Sequence, residues 1–170
     1  MTDRSGKPDD DHWQTPQWLY DQLDAEFHFD FDPCPIHADF DGLAISWGGS
    51  NFINPPYNRA DKPKFIQKSF DESKLGKTCV LLIPSATGTS QFHDLMLPHA
   101  EIRFLRGRIT FVPAALPRNA TDRQIREYNQ SLGKESNSTK GKHDSMLVIF
   151  RAALQPATAK GDLIDEDLAS

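Results

Sequence analysis

Apolar side chains recur four residues apart at Leu19, Leu23 and Phe27, the spacing that lines one face of a helix. The pattern predicts a helix from Pro16 or Gln17 to Phe27, with Thr15 as its N-cap and Pro16 in the first helical position. A short strand is expected over 29–32, halted by Pro33-Cys34-Pro35, and another over 51–53, halted by Pro55-Pro56. Helical spacing returns at Phe65, Ile66, Ser69 and Phe70, predicting a helix over 64–74 with Gly76 as its stop. The unbroken apolar run 78–83 reads as a central parallel strand covered on both faces. A helix from about 90 to 97, strands over 101–105, 109–112 and 145–150, and a helix over 121–132 complete the series. Strand and helix alternate through the middle of the chain, which gives an α/β sheet. The excursion between Val112 and Ser145 is long enough to return as an antiparallel neighbour.

At 170 residues, 38% of them hydrophobic, the chain is the size of one domain that buries an ordinary core without staples. Residues 1–12 and 155–170 are expected to be polar tails, the second acidic, around one domain over 13–154 with an insertion at 113–144. No stretch reads as a membrane span or a leader, so a soluble, cytoplasmic protein is expected. Cys34 and Cys79 lie far apart without metal-ligand spacing and read as reduced thiols, with no metal site. A net charge of −5 excludes a uniformly basic nucleic-acid binder and leaves room for a local basic patch.

The candidate chemistry is concentrated in Asn54-Pro55-Pro56-Tyr57, directly after the apolar Phe52-Ile53. Consecutive prolines fix two φ angles and remove two N–H donors, so their carbonyls have no ladder to join. Asn54 adds a side-chain carbonyl and Tyr57 an aromatic face. Such a set suits a planar ligand with an exocyclic NH2, offering acceptors for its two hydrogens and a ring to stack on it. Asp32-Pro33-Cys34 and Pro84-Ser85 also end predicted strands, the place where ligands bind in open α/β sheets.

Thr15-Pro16 before a helix, Asp32-Pro33-Cys34, Asp41-Gly42-Leu43, Trp47 and the proline tetrapeptide, in that order, resemble the phage-type DNA N-6-adenine-methyltransferases (Dam-like). Pro84-Ser85, the segment from Arg106 to Phe111 and the closing strand extend the resemblance over most of 13–150. It implies a compact, Rossmann-like class I methyltransferase sheet with an antiparallel last strand. It also implies a site-specific DNA methyltransferase, adenine-specific, that uses S-adenosylmethionine. Asn54, Pro55, Pro56 and Tyr57 would then be catalytic, and Thr15, Asp32, Pro33, Cys34 and Asp41 would hold the cofactor. Asp32 would accept from the cofactor's ammonium group with Thr15 at the same end, and Asp41 would serve its ribose or adenine. Thr15 read from the residues alone is also a helix cap and Asp41 a turn residue, while Trp47 either paves the cofactor pocket or fills the core. The chain departs from common methyltransferases in lacking a glycine-rich loop, whose place is taken by Pro33-Cys34-Pro35. The resemblance further implies a phage or prophage protein in a bacterial cytoplasm, marking DNA against host restriction.

DNA is the partner this implies. Arg59, Lys62 and Lys64 follow the tetrapeptide and are expected to clasp phosphates beside a flipped base. Arg118, Arg123 and Arg126, with Lys134, Lys140 and Lys142, make 113–144 the candidate target-recognition segment. Asp122, Glu127 and Glu135 dilute that charge, so the segment also reads as a solvated insertion. The tetrapeptide equally serves an amino group of RNA or a protein glutamine, and a catalytically inactive DNA-binding module is a further alternative.

Overall fold

The computed structural model describes residues 13–133 and 141–152. The expected tails, together with Lys134, Glu135 and Lys140, lie outside the described residues. The chain runs β1 (Trp13–Gln14), α1 (Gln17–Phe27), β2 (Ser50–Ile53), α2 (Lys62–Lys74) and β3 (Thr78–Pro84). A π-helical turn (Phe92–Met96) then enters α3 (Leu97–His99), followed by β4 (Glu101–Phe104), β5 (Val112–Pro113), α4 (Asp122–Ser131) and β6 (Ser145–Phe150).

The main sheet has the order β2-β3-β6-β4. β2 and β3 run parallel, and β6 lies antiparallel to both β3 and β4. The excursion after Val112 therefore does return as an antiparallel strand, and it enters the sheet interior. Because side chains alternate along a strand, Cys79, Leu81 and Ile83 share one face with Met146, Val148 and Phe150. Phe65 and Ile66 of α2 cover that face together with Phe92 and Met96. Val80, Leu82, Leu147 and Ile149 turn to the other face, where Leu19, Leu23 and Phe27 of α1 pack. Buried apolar residues on both faces explain why β3 and β6 read as continuous runs. Trp47 belongs to the first layer, its indole N–H donating to Gly42 O at 2.7 Å. Among the described residues no helix is long and apolar enough to cross a membrane.

Several expectations need correction. β3 has a parallel neighbour on one flank only, since β6 runs against it. The strand expected over 29–32 shrinks to one parallel bridge between Phe31 and Asn51. Phe31 N donates to Ser50 O and Phe52 N to Phe31 O, but the next rung would need an N–H from Pro33, which has none. The stretch 109–112 does not extend β4: the chain turns at Gly107 (φ 73°), and Ile109 O accepts from Gly141 N at 2.8 Å. Val112–Pro113 instead pairs antiparallel with Trp13–Gln14. Thr15 does not cap α1; Pro16, extended at ψ 146°, occupies the N-cap with no side-chain bond. The helix expected near 90–97 has a π-helical middle, and Pro98, which cannot donate to Asp94 O, follows it directly. The helix expected over 121–132 forms as α4, with Thr121 as its N-cap in a reciprocal box with Gln124.

Candidate active site

β2 delivers the tetrapeptide. Its last residue, Ile53, is fully buried opposite Leu81 of β3, so Asn54 emerges at the carboxyl end of the sheet. Pro55 is buried as a wedge while Pro56 is exposed. Among the described residues neither proline carbonyl accepts a hydrogen bond, so both remain free acceptors. Tyr57 donates its hydroxyl to Asn54 Oδ1 at 3.0 Å and is within 3.1 Å of Leu82 O. The residue is 39% exposed, yet its hydroxyl end is sunk, and burial pushes the phenol pKa well up. Tyr57 is therefore a neutral donor anchored at one end, with ring surface left open. Phe111 meets that ring edge-on at 6.2 Å between centroids.

The Asp32-Pro33-Cys34 turn lies on the outer side of β2, beside the Phe31 bridge. Cys34 N donates to Asp32 Oδ1 at 2.8 Å. Burial raises the Asp32 pKa, and that hydrogen bond and the Arg118 charge offset the rise only in part. Gly42 packs directly on this turn: a Cβ there would sit 2.0 Å from Pro33 O. That contact brings Asp41-Gly42-Leu43 against Asp32-Pro33-Cys34. Asp41 itself is exposed and accepts from Leu43 N at 2.9 Å, a turn-forming bond that occupies one of its oxygens. The Thr15 hydroxyl is buried and has no partner, the state of a group that a ligand would satisfy. Cys34 and Cys79 are both free. Burial first, and Asp32 second, push the Cys34 thiol up, and burial pushes Cys79 up to about 12, so neither is an activated nucleophile.

The basic groups separate in space. Arg59 is exposed on a loop fixed by Asn58, whose Oδ1 accepts from Ala60 N and Asp61 N. Lys62 and Lys64 open α2, and Lys64 lies 3.8 Å from Asp61. Arg123 and Arg126 lie on the exposed side of α4, Arg123 paired with Glu127 at 2.8 Å. Arg118 stands elsewhere: its guanidinium is 4.6 Å from the Tyr20 ring centroid, and its charge is felt at Asp32. Its own carbonyl accepts from Gln17 N, and Gln14 Nε2 donates to Pro113 O and Leu116 O. These bonds fasten the start of the 113–144 segment onto β1 and the first residue of α1.

Sequence reasoning missed three contributors. Helical spacing gives Tyr20 no more than a place in α1, although it lies near Asp32 and Arg118 and its pKa is raised, chiefly by burial. The apolar stretch 109–112 gives Phe111 only a place in a strand. Asp30 received no role, yet its carboxylate accepts from Gly49 N at 3.1 Å and Ser50 N at 3.0 Å and so sets the start of β2. The close glycines around it, with a Cβ at Gly48 only 2.3 Å from Asp30 Oδ1, were the available signal.

A family model described as DNA N-6-adenine-methyltransferase (Dam) matches residues 3–164. The DNA N-6-adenine-methyltransferase of Haemophilus phage HP1 is 25% identical in an alignment that covers 62% of this chain and 69% of the phage protein. No solved structure matches the chain. With the tetrapeptide at the sheet's carboxyl end and a family match over nearly its whole length, the chain belongs to the DNA N-6-adenine-methyltransferase (Dam) family.

Proposed function

We propose that this DNA adenine methyltransferase transfers a methyl group from S-adenosylmethionine to the exocyclic nitrogen of an adenine flipped out of DNA. The observation that carries the reading is the mouth at the end of β2: two proline carbonyls without donors, the Asn54 amide, and an open tyrosine ring. The adenine amino nitrogen shares its lone pair with the ring and is a poor nucleophile. Asn54 Oδ1 and the Pro55 carbonyl would hold its hydrogens so that the nitrogen becomes tetrahedral and its lone pair is freed. Pro55, buried, and Pro56 would keep those acceptors in place, and Tyr57 would stack on the base. Unstacking an adenine costs about a few kcal/mol, which stacking worth about 1–3 kcal/mol partly offsets.

The donor set of the Asp32 turn fits the cofactor. A half-buried carboxylate with a raised pKa gains from an ammonium partner, and the buried Thr15 hydroxyl lacks one. Asp32 and Thr15 would hold the methionine end, Pro33 and Cys34 would shape the turn beneath it, and Asp41 would face the ribose or adenine. When bound, the cofactor supplies an electrophilic sulfonium methyl group. Arg118, expected among the DNA contacts, suits the cofactor side better in this reading, where it would pair with the cofactor carboxylate. Arg59, Lys62, Lys64, Arg123 and Arg126 remain the proposed DNA contacts. A sheet with one antiparallel strand set between parallel ones supports the class I methyltransferase architecture. A role in shielding phage DNA from host restriction, in the bacterial cytoplasm, is consistent with the phage relative.

The test is nucleoside mass spectrometry after incubating unmethylated DNA with labelled S-adenosylmethionine. Label is expected on adenine N6 and absent with Asn54→Ala. Label on RNA or protein instead, or none at all, would overturn the reading.

A further inference from the structure

On the flank of the mouth opposite the Asp32 turn, a cavity of about 530 Å³ opens between the end of β3 and the start of β6. Pro84, Ser85, Arg108, Lys142, His143 and Asp144 line it. Several cations described in this acidic chain are neutralised: Lys68 and Lys77 by Glu72, Lys74 by Asp71, Arg103 by Glu26, Arg123 by Glu127, Arg151 by Glu101. Among the described residues Arg108 and Lys142 make no ion pair, and both are exposed into the same cavity. One carboxylate, Asp144, stands with them, so the lining keeps an excess of positive charge. The Ser85 hydroxyl oxygen is sealed from solvent without any hydrogen-bond partner. A guanidinium fork and an ammonium point charge around one space, with an unpartnered serine hydroxyl in its wall, suit a phosphate.

The cavity is tied to the mouth. Gly141 N donates to Ile109 O at 2.8 Å, which clamps the loop carrying Lys142 to the loop carrying Arg108. Phe111, two residues beyond Ile109, abuts the Tyr57 ring, and Tyr57 in turn reaches Leu82 O, two residues before Pro84. Both loops thus share a rim with the stacking ring. We infer that this cavity binds a backbone phosphate of the DNA strand that carries the target adenine, holding the strand beside the base it gives up. The inference rests on the DNA reading above.

The test uses the full chain and a short duplex containing the motif that sequencing of methylated DNA identifies. Single phosphates on either side of the target adenine are replaced, one at a time, by neutral methylphosphonate. Wild-type protein should lose about tenfold or more in affinity at one of these positions. Arg108→Gln/Lys142→Gln should bind the unmodified duplex more weakly and be indifferent to that same replacement. Its log–log salt slope should fall by about 1 for each phosphate contact removed. Cofactor affinity and thermal unfolding of the variant should match wild type, since both side chains are exposed. If the variant keeps the wild-type slope and the wild-type sensitivity at every position, the phosphate site is excluded. Methylation of the duplex by wild-type protein is scored separately, so failure of the DNA reading is not confused with failure of this site.

Discussion

Tyr57 donates its single hydroxyl hydrogen to Asn54 Oδ1 at 3.0 Å, with Leu82 O at 3.1 Å as the competing acceptor. The carbonyl proposed to receive an adenine hydrogen is therefore already oriented by the residue proposed to stack on the base. A carbonyl has two lone pairs, so one bond from tyrosine leaves the other for the substrate. Tyr57→Phe keeps the ring and removes the orienting bond, which is worth about 1 kcal/mol. We expect kcat/KM for methyl transfer to fall by about tenfold or less. Tyr57→Ala also loses the stacking face, worth about 1–3 kcal/mol, and should bring transfer close to background. Equal losses in the two variants would mean that the hydroxyl, not the ring, is what matters.

Asp32 sets function against stability. Its pKa is raised by burial, which the Cys34 N–H and Arg118 do not fully offset. A folded-state pKa above the unfolded value means the folded protein holds the proton more tightly. The linked stabilisation is present below the unfolded pKa and is lost as pH rises through the folded one. An ionised Asp32 is thus a desolvated charge that the Cys34 N–H and Arg118 compensate only in part. Asp32→Asn keeps an acceptor for Cys34 N and removes that charge, so the melting temperature of the cofactor-free protein should rise. Affinity for S-adenosylmethionine should fall by about tenfold to a hundredfold, the worth of a charged hydrogen bond. Calorimetric titration and thermal melts on the same samples check both. Unchanged cofactor affinity would remove Asp32 from the proposed site.

What was legible in the sequence is what local pattern controls. Leu19, Leu23 and Phe27 sit on one face because helix geometry puts them there, and the apolar runs of β3 and β6 follow from burial on both sides of a sheet. The tetrapeptide was legible because proline chemistry is local. What escaped depends on partners distant in sequence. Ile109–Val112 has strand-like residues, but Gly141 and Trp13–Gln14 claim its backbone. The basic residues of 113–144 read as one group, whereas the fold sends Arg118 to Tyr20, Arg123 to the surface of α4 and Lys142 to the end of β3. The Phe29–Asp32 strand could have been shortened in advance, since Pro33 denies it the next rung.

Gly42 offers a test of the contact between the Asp41 and Asp32 turns. A Cβ at 42 would lie 2.0 Å from Pro33 O and 2.9 Å from Pro33 C, both backbone atoms that cannot swing aside. Gly42→Ala must push the two turns apart, at a cost of about 1–3 kcal/mol. Cofactor affinity should drop with stability, because Asp41 and Asp32 would no longer face one ligand. The loss should persist at a temperature where the variant is still fully folded by circular dichroism. Full affinity under those conditions would mean that the two turns need not meet for binding.

An ion network closes the end of α1 onto the β4–β6 edge and makes acid stability predictable. Arg103 donates to both Glu26 carboxylate oxygens, at 2.6 and 2.7 Å, and its Nε donates to Glu101 at 2.7 Å. Arg151 donates to Glu101 Oε2 at 2.8 Å. The hydrogen bond from Arg103 holds the Glu26 pKa below the usual carboxylate range, against the opposing effect of burial. For Glu101 burial alone would raise the pKa, but the bonds from Arg151 and Arg103 outweigh it and lower it as well. A depressed carboxylate contributes stability that is complete above the unfolded pKa and disappears as pH falls through the folded one. The Glu26 side chain is 40% exposed, so solvent and salt screen the pair and Glu26→Gln should cost about 1 kcal/mol at neutral pH. The difference between wild type and variant should stay constant down to about pH 4 and shrink below it, as both carboxylates of the network take up protons. Chemical unfolding midpoints from neutral pH to strongly acid measure this directly. A difference that instead widened toward low pH would show that the Arg103 bonds do not depress Glu26.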